Sequence, residues 1–237
     1  MSEHDLFGDE ADALLEAERI SADTTLTSDA YRSALSQIAE RYRRMIRESR
    51  RMIRHSDRQE RELTQLNERL RTLAAELEYK ASHDTLTGVF NRGAIIARVS
   101  EQLKHSDIAL IVLDIDHFKR VNDEFGHPVG DAVIVELVSR LRPLVDGRGD
   151  IGRVGGEEFT ILLPALDLKR AALLGESLRS AVAKVAFAAL SGAHVTASFG
   201  VSWALAGSTF DDAYAEADSM LYAAKREGRN LVRYRVD

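Results

Sequence analysis

The sequence predicts an α+β domain, with an antiparallel-dominated sheet and packed helices, behind one long amino-terminal helix. Three observations carry this. Apolar residues recur at heptad spacing from Leu35 to Leu77, with no glycine between Gly8 and Gly88 and no proline before Pro128, so nothing interrupts a helix. From residue 81 the pattern turns to mixed strands and helices, in the β-α-β-β-α-β order of a ferredoxin-like sandwich with its helices on one face. Finally, Gly155-Gly156 separates two apolar stretches, as the turn of a β-hairpin does.

At 237 residues the chain has room for one full domain and an extension. It contains no cysteine, which excludes disulfides and thiolate metal sites. The start, Met1-Ser2-Glu3-His4-Asp5, is acidic where a secretory signal is basic and then apolar. No apolar run exceeds that of 108–113, which is far short of the roughly 20 residues of a spanning helix. A cytoplasmic protein without membrane insertion is expected. The net charge of −6 conceals blocks: residues 1–30 carry nine acids and one arginine, and 41–54 carry seven arginines against Glu48. Such polarity points to contacts made by the ends of the chain rather than by the globular body.

In chain order, residues 1–27 read as an acidic flexible arm with a short helix at 10–20. Residues 28–80 read as a coiled-coil stalk that dimerises, with Leu35, Ile38, Tyr42, Met45, Met52, Leu63, Leu66, Leu70, Leu73 and Leu77 on its seam. Ser49, Ser56 and Gln59 weaken the centre of that seam, while Ile46 and Ile53 lie one position off it. The stalk is either a simple dimerising rod or one whose polar centre shifts register or accepts a partner. The arginines read as a solvated helix face in an otherwise acidic chain, so no nucleic-acid partner is expected. Residues 81–237 form the globular domain. Its helices are expected at 84–100 (with Asp84 as N-cap), 131–142, 168–187 and 210–227. Its strands are expected at 108–115, 151–154, 158–163, 195–201 and 231–235.

The chemistry lies at strand ends. Asp114 and Asp116 fall on one side of an extended strand. Asp114 at the strand end and Glu157 on the hairpin are expected to share a divalent cation, since hard Mg²⁺ takes oxygen ligands and substrate phosphates. Asp116 is expected to cap the following turn, and Lys119 to neutralise phosphate oxygens. Asn122 offers a donor and an acceptor. Asp131 accepts two parallel N–H bonds, as the N1–H/N2–H₂ edge of guanine requires, or else caps a helix. His127, between Gly126 and Pro128, reads as a turn residue. Lys225 and Arg229 flank Gly228, a helix C′ residue, and either converge on a polyphosphate or complement the helix dipole.

Taken together, Asp84-Thr85-Leu86-Thr87-Gly88-Val89-Phe90-Asn91-Arg92, the Asp114–Asp131 block, Gly155-Gly156-Glu157-Glu158-Phe159 and the Tyr222–Asn230 block resemble the GGDEF family of diguanylate cyclases. The resemblance covers residues 81–237 and implies the palm fold of nucleotide cyclases. It implies condensation of two GTP into cyclic di-GMP, with loss of two pyrophosphates, by two domains facing each other in a dimer. It also implies that Mg²⁺ (Mn²⁺ as an alternative) is held by Asp114, the Ile115 carbonyl and Glu157. On the same resemblance Glu158 assists deprotonation of the ribose 3′-hydroxyl. Asn122 and Asp131 contact guanine with His127 nearby. Phe118, Lys119, Lys225 and Arg229 line the phosphate side, and Gly155 and Gly156 leave room for the α-phosphate.

One departure concerns the Arg-x-x-Asp product-inhibition site of many members, whose positions hold Asp146 and Gly149 here; feedback is expected to be weak or absent. A separate regulatory protein binding residues 1–80 is expected, or alternatively an acidic arm that folds back on the arginine band. The competing functions are a catalytically silent GTP-binding module and a cyclase making a 3′,5′-mononucleotide.

Overall fold

The computed structural model describes residues 8–25, 27–164, 166–190 and 192–235; the first seven residues of the expected arm lie outside them. The chain divides into two units, residues 1–73 and 74–237.

The first unit is helical. Helix α1 spans Gly8–Ala22 and α2 spans Ser28–Ser82, 55 residues without a break. The turn between them is held by Asp23, whose carboxylate accepts from the Thr25 N–H at 2.9 Å and hydroxyl at 2.6 Å, and whose carbonyl accepts from the Tyr31 phenol at 2.6 Å. An exposed ion pair between Arg41 and Glu16, 3.8 Å apart, brings the middle of α1 back along α2. None of the residues described in α2 is buried. Leu63, Leu66, Leu70, Leu73 and Leu77 are each more than half exposed, so the heptad seam has no cover within its own chain.

The second unit is built on a five-stranded sheet. Helix α3 is Arg92–Leu103, β1 Ile108–Ile115, α4 Phe118–Phe125, α5 His127–Val145, β2 Asp150–Arg153 and β3 Glu158–Leu163. Helix α6 is Leu168–Lys184, β4 Ala197–Ala204, α7 Phe210–Arg226 and β5 Val232–Tyr234. The strand order is β2-β3-β1-β4-β5. Every neighbouring pair is antiparallel except β4 and β5, which run parallel. This is the expected antiparallel-dominated palm.

Helices cover both faces of the sheet, not one as the sequence suggested. Strand β1 shows why, because all eight of its positions are buried. Ala109, Ile111, Leu113 and Ile115 enter a core with α5 and α6, whereas Ile108, Leu110 and Val112 enter a second core with α3 and α7. A continuous apolar run such as this one is the mark of a strand buried on both sides.

Two helix starts also differ from expectation. The helix expected from Asp84 begins at Arg92, capped by Asn91, whose side chain accepts from the Ala94 N–H at 2.9 Å. Residues 84–91 instead form a turn through Gly88 at φ +66°, a backbone region that glycine enters freely. Helix α5 begins at His127 rather than 131, because Pro128 occupies a first-turn position where no N–H is needed. Just before it, the short α4 goes unseen in the sequence reading.

Candidate active site

The β1–β3 ladder sets the site. It ends with Asp114 directly opposite Glu158, while on the other side Asp114 faces Ser198 of β4. The hairpin closes where the Glu158 carbonyl accepts from the N–H groups of Val154 at 3.0 Å and Gly155 at 3.3 Å. A β-carbon on Gly155 would stand 2.6 Å from a carboxylate oxygen of Glu158, so only glycine lets that side chain lie over the turn; next to it, the space around Gly156 is open.

Arg153 fastens the hairpin tip from below. Its guanidinium donates to the Gly156 carbonyl at 2.7 Å and to the Asp84 carboxylate at 3.1 Å. Burial pushes the Asp84 carboxyl up, but the Thr87 hydroxyl and Arg153 outweigh it and hold the group below its ordinary range. Asp84 is thus an anchor for the hairpin rather than the cap of a helix.

Electrostatically the site is a group of carboxylates with the Lys225 ammonium beside it. Asp114 is buried, and Lys225 of α7 places its ammonium 3.0 Å from the Asp114 carboxylate. Burial pushes the Asp114 carboxyl up, against the pull of Lys225, and the charges of Glu158 and Asp116 push the same way. Glu157 is likewise raised by burial, then by Asp114 and Glu158, with Lys225 opposing. Carboxylates whose charged forms are disfavoured by burial and by one another are relieved by an added divalent charge. Among the described residues no group of three or more His, Cys, Asp or Glu side chains closes around one point. The hard carboxylate oxygens of Asp114 and Glu157 suit a cation that takes a few protein oxygens and completes its shell with water and phosphate, the habit of Mg²⁺. Asp114, the carbonyl of Ile115 (the last residue of β1) and Glu157 are the candidate ligands.

The α4–α5 side holds the other candidates. The chain leaves β1 through His117, a non-glycine residue at φ +60°, and enters α4. Phe118 is buried there and Asn122 half-buried. Both pack onto Gly130, where a β-carbon would stand 2.0 Å from the Asn122 side-chain oxygen and 3.2 Å from the Phe118 ring. This close approach puts Asn122 beside the first turns of α5, which carry Asp131. Lys119, His127, Asp131 and Arg229 are exposed, and their side chains make no hydrogen bond or ion pair among the described residues.

Sequence reasoning missed several residues. Asp116 does not cap the turn after β1; its carboxylate accepts from the Thr196 and Ser198 hydroxyls, both at 2.7 Å, and from the Asn230 N–H at 2.9 Å. These partners lie about 80 to 114 positions away in the chain, beyond any local pattern. Tyr214 of α7 also borders the site. Its phenol is raised by burial and then by Glu158, Asp218 and Asp114, against the pull of Arg92. Alternation toward the apolar face of α7 gave no signal of that role.

Comparison with known proteins converges on one family. Residues 81–231 match the family described as "Diguanylate cyclase, GGDEF domain". The chain is 41% identical over 160 residues to the diguanylate cyclase DgcP of Pseudomonas aeruginosa, which covers 64% of this chain and 23% of DgcP. It is 36% identical over 169 residues to VdcA of Vibrio cholerae, covering 69% of this chain and 50% of VdcA. The chain thus spans half or less of the length of these relatives. Among solved structures, the coiled coil and GGDEF domain of DgcB from Caulobacter crescentus, in complex with c-di-GMP, superimposes with a TM-score of 0.68 at 30% identity. That match covers 73% of this chain and 95% of DgcB as solved. The diguanylate cyclase SiaD of P. aeruginosa, in complex with its activator SiaC, matches 96% of this chain and 87% of its own, at a TM-score of 0.64 and 31% identity. With a family match over more than half its length, and the hairpin and acidic strand end that the family's motifs describe, the chain belongs to the GGDEF family of diguanylate cyclases.

Proposed function

We propose that the protein condenses two GTP into cyclic di-GMP and two pyrophosphates, in the cytoplasm, as a Mg²⁺-dependent dimer of facing half-sites. The observation that carries this reading is the meeting of Asp114, Glu157 and Lys225 at the hairpin tip, a pair of hard oxygen ligands beside an ammonium group. The bound cation (Mn²⁺ as an alternative) supplies charge stabilisation at the α-phosphate and acidifies the attacking hydroxyl. Asp114, the Ile115 carbonyl and Glu157 hold it. Asn122 and Asp131 select guanine, with His127 at the edge of that subsite, and Phe118, Lys119, Lys225 and Arg229 bind the phosphates. The open space at Gly156 admits the α-phosphate.

In each half-reaction the ribose 3′-oxygen of one nucleotide forms a bond to the α-phosphorus of the other, and the bond to the pyrophosphate oxygen breaks. Glu158 assists removal of the 3′ proton. Its position opposite Asp114 supports this role, since a base must lie beside the cation that activates the hydroxyl. One domain binds one GTP, so the reaction needs a second copy, and the uncovered leucine seam of α2 brings it close by raising effective concentration. A separate protein acting on residues 1–80 regulates the pairing; the likeness over 96% of this chain to a cyclase solved with its activator supports that partner. Product feedback through an Arg-x-x-Asp site is absent or weak, because its two defining positions hold Asp146 and Gly149.

Incubating the pure protein with GTP and Mg²⁺ and separating the products tests the reading. Cyclic di-GMP and pyrophosphate are expected. Bound but unconverted GTP would indicate a silent module, and a 3′,5′-mononucleotide a different cyclase.

A further inference from the structure

Between the strand that bears Asp114 and the turn that bears Arg229 lies a buried junction, and Asp116 is its centre. Asp116 is 5% exposed. One carboxylate oxygen accepts from the Ser198 hydroxyl, and the other accepts from both the Thr196 hydroxyl and the Asn230 N–H. Its own N–H donates to the Thr196 carbonyl at 2.9 Å. Both oxygens are therefore engaged by protein donors, which sets Asp116 apart from the cation ligands two residues before it.

The Asn230 contact matters because of what precedes it. After α7 the backbone passes through Gly228 at φ +120°, Arg229 at +64° and Asn230 at +49°. L-residues rarely enter this region, and two in succession persist only where the surroundings fix them. Arg233 bridges the two sides of the turn through Glu227, and the Leu231 carbonyl just after it accepts from the Phe199 N–H at 2.9 Å; the turn residues themselves make three further bonds. The Arg229 N–H reaches the Ala224 carbonyl at 3.0 Å, closing the helix end. Arg179 of α6 donates to the Asn230 side-chain oxygen at 2.8 Å. Asp116 takes the Asn230 N–H at 2.9 Å, a charge-assisted bond like that from Arg179 but the one that holds the turn's own backbone.

We propose that Asp116 is a positioning residue: by holding the Asn230 N–H it keeps the left-handed turn, and so Arg229, at the triphosphate end of the site. The inference rests on the proposed reading of the site as a GTP site. Asp116 touches no substrate, and its effect is confined to the phosphates beyond the α position.

Equilibrium binding by the full chain tests this, with two ligands: a GTP analogue whose α–β bridge is methylene, so that no pyrophosphate can leave, and guanosine 5′-monophosphate. Asp116→Asn and Arg229→Ala are each expected to weaken the triphosphate analogue about tenfold, the scale of one charge-assisted bond, and to leave the monophosphate within about twofold. The double variant is expected to bind no more weakly than Arg229→Ala alone, because one residue acts through the other. Multiplying losses in the double variant, equal losses for both ligands, or an unchanged Asp116→Asn each overturn the proposal. Should Asp116→Asn not fold, Arg179→Ala frees the opposite side of Asn230. It is expected to give a smaller loss for the analogue alone, and equal loss for both ligands or none overturns the proposal. Wild-type protein that binds neither ligand overturns the site reading as well; wild-type protein that binds both and makes cyclic di-GMP leaves only the positioning role at stake.

Discussion

The two units meet the need for burial in opposite ways. In residues 74–237 the central strand is buried at every position and apolar side chains fill both faces of the sheet. In α2 no described residue is buried, yet leucine recurs along the helix at heptad spacing. Most helical stability in proteins comes from packing an apolar face rather than from propensity. The sheet unit buries its apolar residues in two cores, whereas the described apolar seam of the helical unit stays exposed. On the proposed function the chemistry divides the same way: the acidic strand ends are set by sheet register, whereas the second nucleotide would arrive on another copy.

The sharpest separation of the two comes from the cation ligands. Asp114→Asn or Glu157→Gln is expected to lower turnover by roughly 10³-fold, as loss of a main electrostatic stabiliser does, with the sedimentation coefficient unchanged. A variant that keeps synthesis at wild-type rate would break the assignment of those carboxylates. Next in size is the seam. Leu66→Glu with Leu73→Glu is expected to give a monomer whose rate at dilute concentration falls by about 10²-fold and recovers as protein is concentrated. An unchanged oligomer in sedimentation would return α2 to the status of a plain rod.

Arg153 probes how rigidly the sheet unit presents its hairpin. Arg153→Ala removes the bonds to the Gly156 carbonyl and to Asp84, leaves the half-buried Asp84 without its cation, and is expected to cost about 1–3 kcal/mol in thermal unfolding. Turnover falls with it, and a double-mutant cycle with Asp84→Asn shows strong coupling. Additive losses would separate the two residues.

The smallest effect is that of pH. Asp114 and Glu157 are both raised by burial and by neighbouring charge, so the folded protein holds their protons more tightly than the unfolded chain does. Without divalent cation, stability is expected to fall as pH rises through that raised range. Binding of Mn²⁺, which needs the deprotonated forms, is expected to strengthen over the same range. Calorimetric titration at several pH values checks this, and Asp114→Asn should flatten the dependence.

Much of this was legible locally. The β1 strand, the β3 strand and α7 appear within a few residues of their expected bounds, because alternation and helical periodicity are local signals. Asp114 and Glu157 were legible as strand-end and hairpin acids. The misreadings share a cause. Asp84 and Asn91 are equally good N-caps by residue type, and what decides between them is Arg153, 69 positions away. Asp116 resembles a turn cap until Thr196, Ser198 and Asn230 come to it from the far end of the domain. The second layer of helices was implied by the unbroken apolar run of β1, but a short apolar run alone does not say which helices cover it.

If Asp114 holds a divalent ion as proposed, its bond to Lys225 would make one carboxylate answer to two cations. A divalent ion arriving alone competes with an ammonium tethered to the same chain. An ion arriving on a triphosphate brings fresh anionic oxygens to which that ammonium can move. Ion and nucleotide then help each other in, and by linkage each tightens the other to the same degree. On that reading the lysine would tune the site toward the metal–nucleotide complex and away from the bare metal, a filter made from a single contact.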